Sequence, residues 1–186
     1  MNESVTKTGL LTALFTLLFT AGANAQQSDR IEVFAGYSYT GYSVYQLYSG
    51  PWTRFNFNGW EASATAKLAP HVGVEGDFGG GYGSSYKLRT YMGGPRVSAA
   101  FGNANIYGHV LFGGLTFENQ GYSRTTTSFA MAVGGGADWW FSRHVGARLI
   151  QADYLRNTNS AAAQTGVGGT GSGNNFRIST GIVFRF

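Results

Sequence analysis

A chain of 186 residues with no cysteine can hold neither a disulfide nor a thiolate metal site. Its net charge of +4 comes from 13 basic and 9 acidic residues scattered singly, which excludes the basic runs typical of nucleic-acid-binding proteins. Charged residues are 12% of the chain, against roughly 25% in an ordinary soluble domain. Aromatic residues reach 16% and glycine numbers 29, so surface charge is replaced by residues that suit an apolar environment.

The first 25 residues have the pattern of a signal peptide. Lys7 provides a basic start, residues 9–20 form an apolar stretch, and the small residues Ala23 and Ala25 fit the site that signal peptidase cleaves. The apolar stretch is shorter than the roughly 20 residues that a transmembrane helix needs. We predict an exported protein whose mature domain runs from Gln26 to Phe186. A retained N-terminal anchor is the alternative.

The next segments alternate apolar and polar residues with a period of two, which predicts β-strands. In 31–39 the apolar residues share one face. In 59–68 and 72–79 the apolar face opposes a face that carries every charged side chain of the pair. Those charged residues are Glu61, Lys67, Glu75 and Asp77. The two segments flank a short turn at Pro70, so we predict a hairpin with one apolar and one charged face.

The middle segments are harder to orient. Pro95 interrupts the strand predicted over 89–101, and because proline cannot donate to the ladder we expect a bulge or weakened pairing there. The strands predicted over 106–117 and 128–141 are apolar on both faces. The strand predicted over 145–155 places its polar side chains on one face only if a bulge lies near Ile150.

The last segment, 175–186, alternates without interruption and completes eight predicted strands. Short turns are expected at Pro70, Asn103 and Arg143. The other connections are predicted to be long: 40–58, 80–88, 118–127 and 156–174. Long loops at one end and tight turns at the other are typical of outer-membrane barrels. The sequence therefore predicts one eight-stranded antiparallel transmembrane β-barrel.

These features resemble the OmpA-type superfamily of small eight-stranded outer-membrane barrels, which includes the OmpX-like and opacity-type proteins. The opening strand, with Val33, Gly36 and Tyr37, is similar to the first strand of many such barrels. The final strand resembles the signal read by the barrel assembly machinery, through Phe176, Ile178, Ile182, Phe184 and Phe186. The resemblance implies a monomer in the outer membrane of a Gram-negative cell, in contact with membrane lipid and lipopolysaccharide.

The charged residues assigned to the inner face predict a network of ion pairs in the lumen, because charges facing lipid are costly. The predicted members are Glu61, Lys67, Glu75, Asp77, Arg96, Asp138, Arg148, Arg177 and Arg185. An eight-stranded barrel is just wide enough for side chains to fill its interior. The network therefore predicts a plugged lumen, and a gated narrow ion path is the alternative.

No catalytic, cofactor or metal site is predicted. The histidines His71 and His144 fall in short turns, and His109 lies within a strand without a recognisable nucleophile beside it.

Aromatic residues between 40 and 58 are interpreted mainly as extensions of the first two strands, with an exposed binding patch as the alternative. Residues 139–141 are expected to form an aromatic girdle. We predict a structural or envelope-maintaining barrel. The alternatives are a porin-like channel, a soluble lipocalin-like binder and a lipid-modifying enzyme.

Overall fold

The computed structural model describes residues 30–46, 50–84, 86–119, 124–157 and 175–186. Eight antiparallel strands form a closed barrel in which each strand pairs with its neighbours in the chain and the last pairs with the first. The strands are β1 (Ile31–Gln46), β2 (Gly50–Ala69), β3 (Val72–Tyr82), β4 (Tyr86–Phe101), β5 (Ala104–Asn119), β6 (Arg124–Trp140), β7 (Val145–Asn157) and β8 (Asn175–Arg185). The predicted fold class is confirmed. The signal peptide predicted for residues 1–25, with its cleavage residues Ala23 and Ala25, lies outside the described residues.

The barrel has two distinguishable ends. We call the lower end the one where β1 begins and β8 ends, and where residues 70–71, 102–103 and 141–144 connect strands. Gly102 adopts a left-handed conformation (φ 61°) in one of these turns, where a side chain would be strained. At the upper end β1, β3, β5 and β7 end and β2, β4, β6 and β8 begin. No helix among the described residues is both long enough and apolar enough to cross a bilayer.

Three of the four long connections predicted from sequence are wrong in extent. Residues 40–46 and 50–58 continue β1 and β2, which leaves only 47–49 between these strands. In the same way β3, β4, β5 and β6 extend into the predicted loops. The reason lies inside the barrel, where Tyr42 and Phe57 are buried against Phe117. Tyr42, Phe55 and Phe57 are thus parts of the first two strands. Tyr48 lies outside the described residues.

The sequence predicted irregular pairing at Pro95 and near Ile150, and the structure shows an irregularity at both places. Pro95 pairs normally with Val74 on β3, but the β4–β5 pairing stops at Gly93 and resumes at Arg96 in the same register. The pairing is therefore weakened without a bulge. In β7 the register shifts between Arg148 and Gln151.

That shift points two successive side chains outward. Leu149 and Ile150 are both exposed, so Arg148, Gln151 and Asp153 all point inward. The bulge expected near Ile150 is present.

Alternation along each strand separates an apolar outer wall from a filled interior. Large hydrophobic side chains of all eight strands are exposed on the outside, among them Val33, Trp60, Phe78, Tyr91, Ile106, Phe129, Ile150 and Ile182. A water-soluble protein would pay a large hydration penalty for so continuous a surface, whereas a bilayer accepts it. The inner side chains form a broad charged layer with a small apolar cluster within its lower part, and a larger apolar cluster above this layer.

Candidate functional site: the barrel interior

The charged layer of the interior, which we call the ionic network, is balanced. Among the described residues it holds six acidic side chains: Glu32, Glu61, Glu75, Asp77, Asp138 and Asp153. Its basic side chains are also six: Lys67, Arg96, His109, Arg148, Arg177 and Arg185. Every one of the eight strands contributes at least one member. Because a buried charge is costly unless paired, the balance explains how so many ions occupy a closed space.

Arg177 on β8 is the centre of the upper part of the network. Its guanidinium lies 2.8 Å from Asp77, 2.7 Å from Asp153 and 3.1 Å from Glu61. The planar guanidinium carries five N–H donors, so one side chain can bind carboxylates on β2, β3 and β7 together. Ser179, its neighbour on the inner face of β8, donates a further hydrogen bond to Glu61. These contacts connect four strands through a single residue.

Glu32 on β1 is the centre of the lower part. Its carboxylate lies 2.7 Å from Lys67, 2.8 Å from Arg185 and 3.5 Å from Arg96. Arg96 also lies 3.3 Å from Asp138 and 3.5 Å from Glu75. The lower part is therefore a chain of shared ions rather than a set of isolated pairs.

Arg148 and Gln151 join the two parts. Arg148 donates hydrogen bonds to the Asp138 carboxylate at 2.9 Å and to the side-chain Oε1 of Gln151 at 2.6 Å. The Gln151 amide donates in turn to Glu61 at 2.7 Å and to Asp153 at 2.8 Å. The β7 bulge places these donors on the same face, so the irregular backbone serves the network directly.

His109 on β5 lies between two carboxylates. Its Nδ1 is 3.0 Å from Glu75 and its Nε2 is 2.9 Å from Asp153. An ionised carboxylate can only accept hydrogen bonds, so both ring nitrogens must donate, and the imidazole then carries a positive charge. With this charge the network has six cations for its six carboxylates.

Glycines on β6 leave room for this arrangement. A Cβ on Gly134 would collide with the Asp153 side chain, and one on Gly136 would crowd the Tyr107 hydroxyl. Tyr107 donates to Gln151 at 2.7 Å, and the Arg96 guanidinium lies 3.6 Å from the centre of its ring. Gly134 and Gly136 therefore face the crowded centre of the interior.

Above the ionic network lies a cluster that we call the apolar plug. Its members are buried side chains from six strands: Tyr42, Phe57, Leu88, Met92, Leu111, Leu115, Phe117, Ala130, Ala132 and Leu155. Phe117 contacts the rings of Tyr42 and Phe57 with centroids 5.9 and 6.2 Å apart, and Tyr86 packs on its other side at 5.2 Å. The plug fills the upper interior without charged groups.

A small apolar cluster of Phe34, Trp140 and Val183 lies within the lower part of the network. Phe34 and Val183 are one inward position above Glu32 and Arg185 on β1 and β8. The girdle predicted for residues 139–141 is wrong at its central residue, because Trp140 is 6% exposed and faces inward. Alternation requires this, since Trp139 and Phe141 both face outward. The Arg185 guanidinium lies 3.7 Å from the centre of the Trp140 ring, a cation–π contact at the lower mouth.

All nine side chains assigned to the lumen from sequence point inward, and their ion pairs draw them together. Sequence reasoning did not assign Glu32, His109 and Asp153 to the network. Alternation around Ile31 and Val33 could have placed Glu32 inside. His109 lies on a strand that is apolar on both faces, so its phase could not be read. Asp153 points inward because of the bulge near Ile150, on which its predicted orientation depended.

The residues of the predicted assembly signal lie on the outer wall of β8. Ile178, Ile182, Phe184 and Phe186 are exposed there, and Phe176 lies 5.9 Å from Tyr39 on β1. The structure gives their position in the wall and no contact with a second protein.

Comparison with solved structures gives the fold. No family model and no curated protein matches this chain. Neisserial surface protein A resembles it with a TM-score of 0.59 at 13% identity, over 87% of this chain and all of that one. Ail of Yersinia pestis gives a TM-score of 0.52 at 16% identity, over 86% and 100%. The N-terminal barrel of Pseudomonas aeruginosa OprF gives 0.51 at 10%, again over 86% and 100%.

This is the fold of a small outer-membrane barrel. The neighbours agree with the closed eight-stranded topology of this chain. Identities this low show the fold alone, so what the individual neighbours do is not transferred to this chain.

Proposed function

We propose that this protein is a structural component of a Gram-negative outer membrane, a closed barrel that carries no solute through its centre. The observation that supports the proposal is the filled interior, with a charge-balanced ionic network below and the apolar plug above it. Water and ions would have to displace paired charges and then cross an uncharged aromatic layer. The upper end is then available for interactions at the cell surface.

Single-channel recording in a planar lipid bilayer tests this proposal. The protein is first shown to be folded by its faster migration on unheated gels. We expect no discrete current steps from folded wild-type protein. Stable steps that change size when Glu61→Gln or Arg96→Gln is introduced would overturn the proposal and assign an ion path to the network.

A narrow channel is the second candidate, and one feature favours it. Arg96 and Arg177 each lie within 3.5 Å of three carboxylates, so each could change partners without leaving an ion unpaired. The plug opposes this function. A variant with Phe117→Ala and Leu111→Ala should therefore conduct if the ionic network itself is a gate, and should stay silent if both layers are independent barriers.

Export and assembly complete the proposal. We infer that residues 1–25 direct export and that the outer face of β8 is read by the barrel assembly machinery. For Phe186→Ala we expect less folded protein in the outer-membrane fraction, because assembly in the cell would depend on this residue. Refolding into detergent micelles needs no assembly machinery and should be unchanged. Equal amounts of wild type and variant in the membrane fraction would contradict the assembly role. Recovery of the wild type in the soluble fraction would instead favour a lipocalin-like barrel.

A further inference from the structure

The outer wall has a groove that the closed interior does not explain. It lies across β2, β3 and β4 with a volume of about 320 Å³. We call it the β3 groove, and its principal lining residues are Trp60, Phe78, Gly80, Tyr82, Arg89 and Tyr91. All of these lie on the apolar face of the barrel wall, in the half towards the upper end of β3.

The groove exists because Gly80 has no side chain. Gly80 is the outward residue between Phe78 and Tyr82, and it pairs with Trp60 on one side and Arg89 on the other. A Cβ at this position would lie 2.7 Å from Trp60 Nε1, so the indole ring lies across the glycine and forms part of the groove. The result is a slot walled by aromatic rings, with a width and chemistry that suit a hydrocarbon chain.

Charged side chains at the upper rim of the β3 groove indicate the charge of the head group that it would bind. Lys87 and Arg89 both border the groove, and Glu118 is the one described acid beside them, 3.5 Å from Arg89. One carboxylate cannot neutralise two cations, so the rim is positive. Phosphate groups are suited to such a pair of basic side chains.

The upper half of the outer wall also carries more cations than acids among the described residues. On the upper half of the outer wall, the described side chains include four cations and one acid, Glu118. The cations are Arg54, Lys87, Arg89 and Arg156. Every other described carboxylate points into the barrel. An outer surface almost free of acid favours contact with an anionic layer.

We propose that the β3 groove binds one acyl chain of a phosphorylated glycolipid of the outer leaflet, with Lys87 and Arg89 contacting its phosphate. This rests on the proposed location in the outer membrane and deepens it by naming a lipid and a site. Trp60 and Tyr82 then pack along the chain, while Gly80 leaves room for the Trp60 indole that forms part of the groove.

Native mass spectrometry of the purified protein in detergent tests the site, with bisphosphorylated lipid A as the probe. Gly80→Leu fills the groove, and Gly76→Leu is the matched control, because Gly76 lies on the same strand and a Cβ there meets no atom within 4 Å. We expect at least a tenfold rise in the dissociation constant for Gly80→Leu and none for Gly76→Leu. Gly80→Ala serves as a milder variant if the leucine protein does not fold.

The rim is tested with Lys87→Gln combined with Arg89→Gln, against Arg156→Gln on the other side of the barrel. The double variant should lose the preference for lipid A over its dephosphorylated form, and Arg156→Gln should keep it. Equal binding by wild type and Gly80→Leu would overturn the site. Equal competition by phosphatidylglycerol would overturn the glycolipid assignment. Both results concern the outer wall, so neither depends on whether the interior conducts.

Discussion

The two large layers of the interior fill the same barrel by different physical means. The ionic network takes members from all eight strands and fixes each by directed contacts, such as the three carboxylates around Arg177. The apolar plug takes its described members from six strands, and β5 alone supplies Leu111, Leu115 and Phe117. Dispersion and exclusion of water hold the plug together without requiring fixed partners.

The difference suggests a division of roles between register and stability. A one-residue slip of any strand would turn its inner charges toward lipid and leave their partners unpaired, so the network selects one register. The plug tolerates exchange among apolar residues of similar volume. Loss of the Arg177 charge, which three carboxylates share, should therefore cost more than loss of one ring of the plug, and the predictions test this order.

The largest effect is expected for Arg177→Met, which leaves three buried carboxylates without their shared cation. Removing one partner of a buried ion pair costs about 3–5 kcal/mol, so we expect unfolding at much lower urea concentration. Tryptophan fluorescence and gel mobility follow the transition. Asp77→Asn added to this variant should restore part of the loss, since it removes one uncompensated charge. An unchanged urea midpoint for Arg177→Met would show that the network contributes nothing to stability.

Phe117→Ala tests the plug. Truncating a buried phenylalanine costs about 3–5 kcal/mol in well-packed cores, and we expect the lower part of this range because neighbouring rings can move into the space. Phe112→Ala, on the same strand but facing outward, is the control and should change the unfolding midpoint less. Equal losses for both variants would mean that the buried position of Phe117 adds no stability.

The alternation of inward and outward side chains along a strand decides which interior residues could be predicted from the sequence. Uninterrupted alternation assigned Glu61, Glu75 and Arg177 to the inner face, where these side chains are buried, and predicted the eight-stranded fold. Where both faces are apolar, as around His109, periodicity carries no information about which face is inside. The three ligands of Arg177 come from three strands far apart in the sequence, so only the closed topology brings them together.

The extent of the strands was a separate difficulty. Residues 40–58 contain Tyr42, Phe55 and Phe57 at strand spacing, but also glycine, asparagine and proline, which are typical of loops. Pairing continues there because the plug buries alternate side chains. That stabilisation is tertiary and cannot be read from local composition.

An intermediate effect is expected for His109→Gln, which removes one cation and at least one of two hydrogen bonds. We expect a loss of about 1–3 kcal/mol, the usual cost of leaving a buried polar group without a partner. Nitrogen NMR of a protein with His71→Gln and His144→Gln, which leaves one imidazole, should show both nitrogens of His109 protonated at pH 7. A neutral ring in that spectrum would contradict the six-to-six balance of the network.

The smallest effect separates Trp139 from Trp140. Variants that keep one tryptophan each, with phenylalanine at the other positions, should fold with nearly unchanged stability. Brominated lipid should quench Trp139 strongly and Trp140 weakly, because the first faces outward and the second is buried against Arg185. Equal quenching would contradict the inward position of Trp140.

The placement of Arg177 and Arg185 on β8 bears on how the protein is assembled. Before β8 joins the sheet, β1 to β7 bring six acidic side chains together with only four basic ones, Lys67, Arg96, His109 and Arg148. A half-built barrel therefore carries two uncompensated negative charges. Arrival of β8 neutralises them in the same step that seals the seam with β1. Insertion should for this reason be all-or-none, with few partly inserted forms persisting in the membrane.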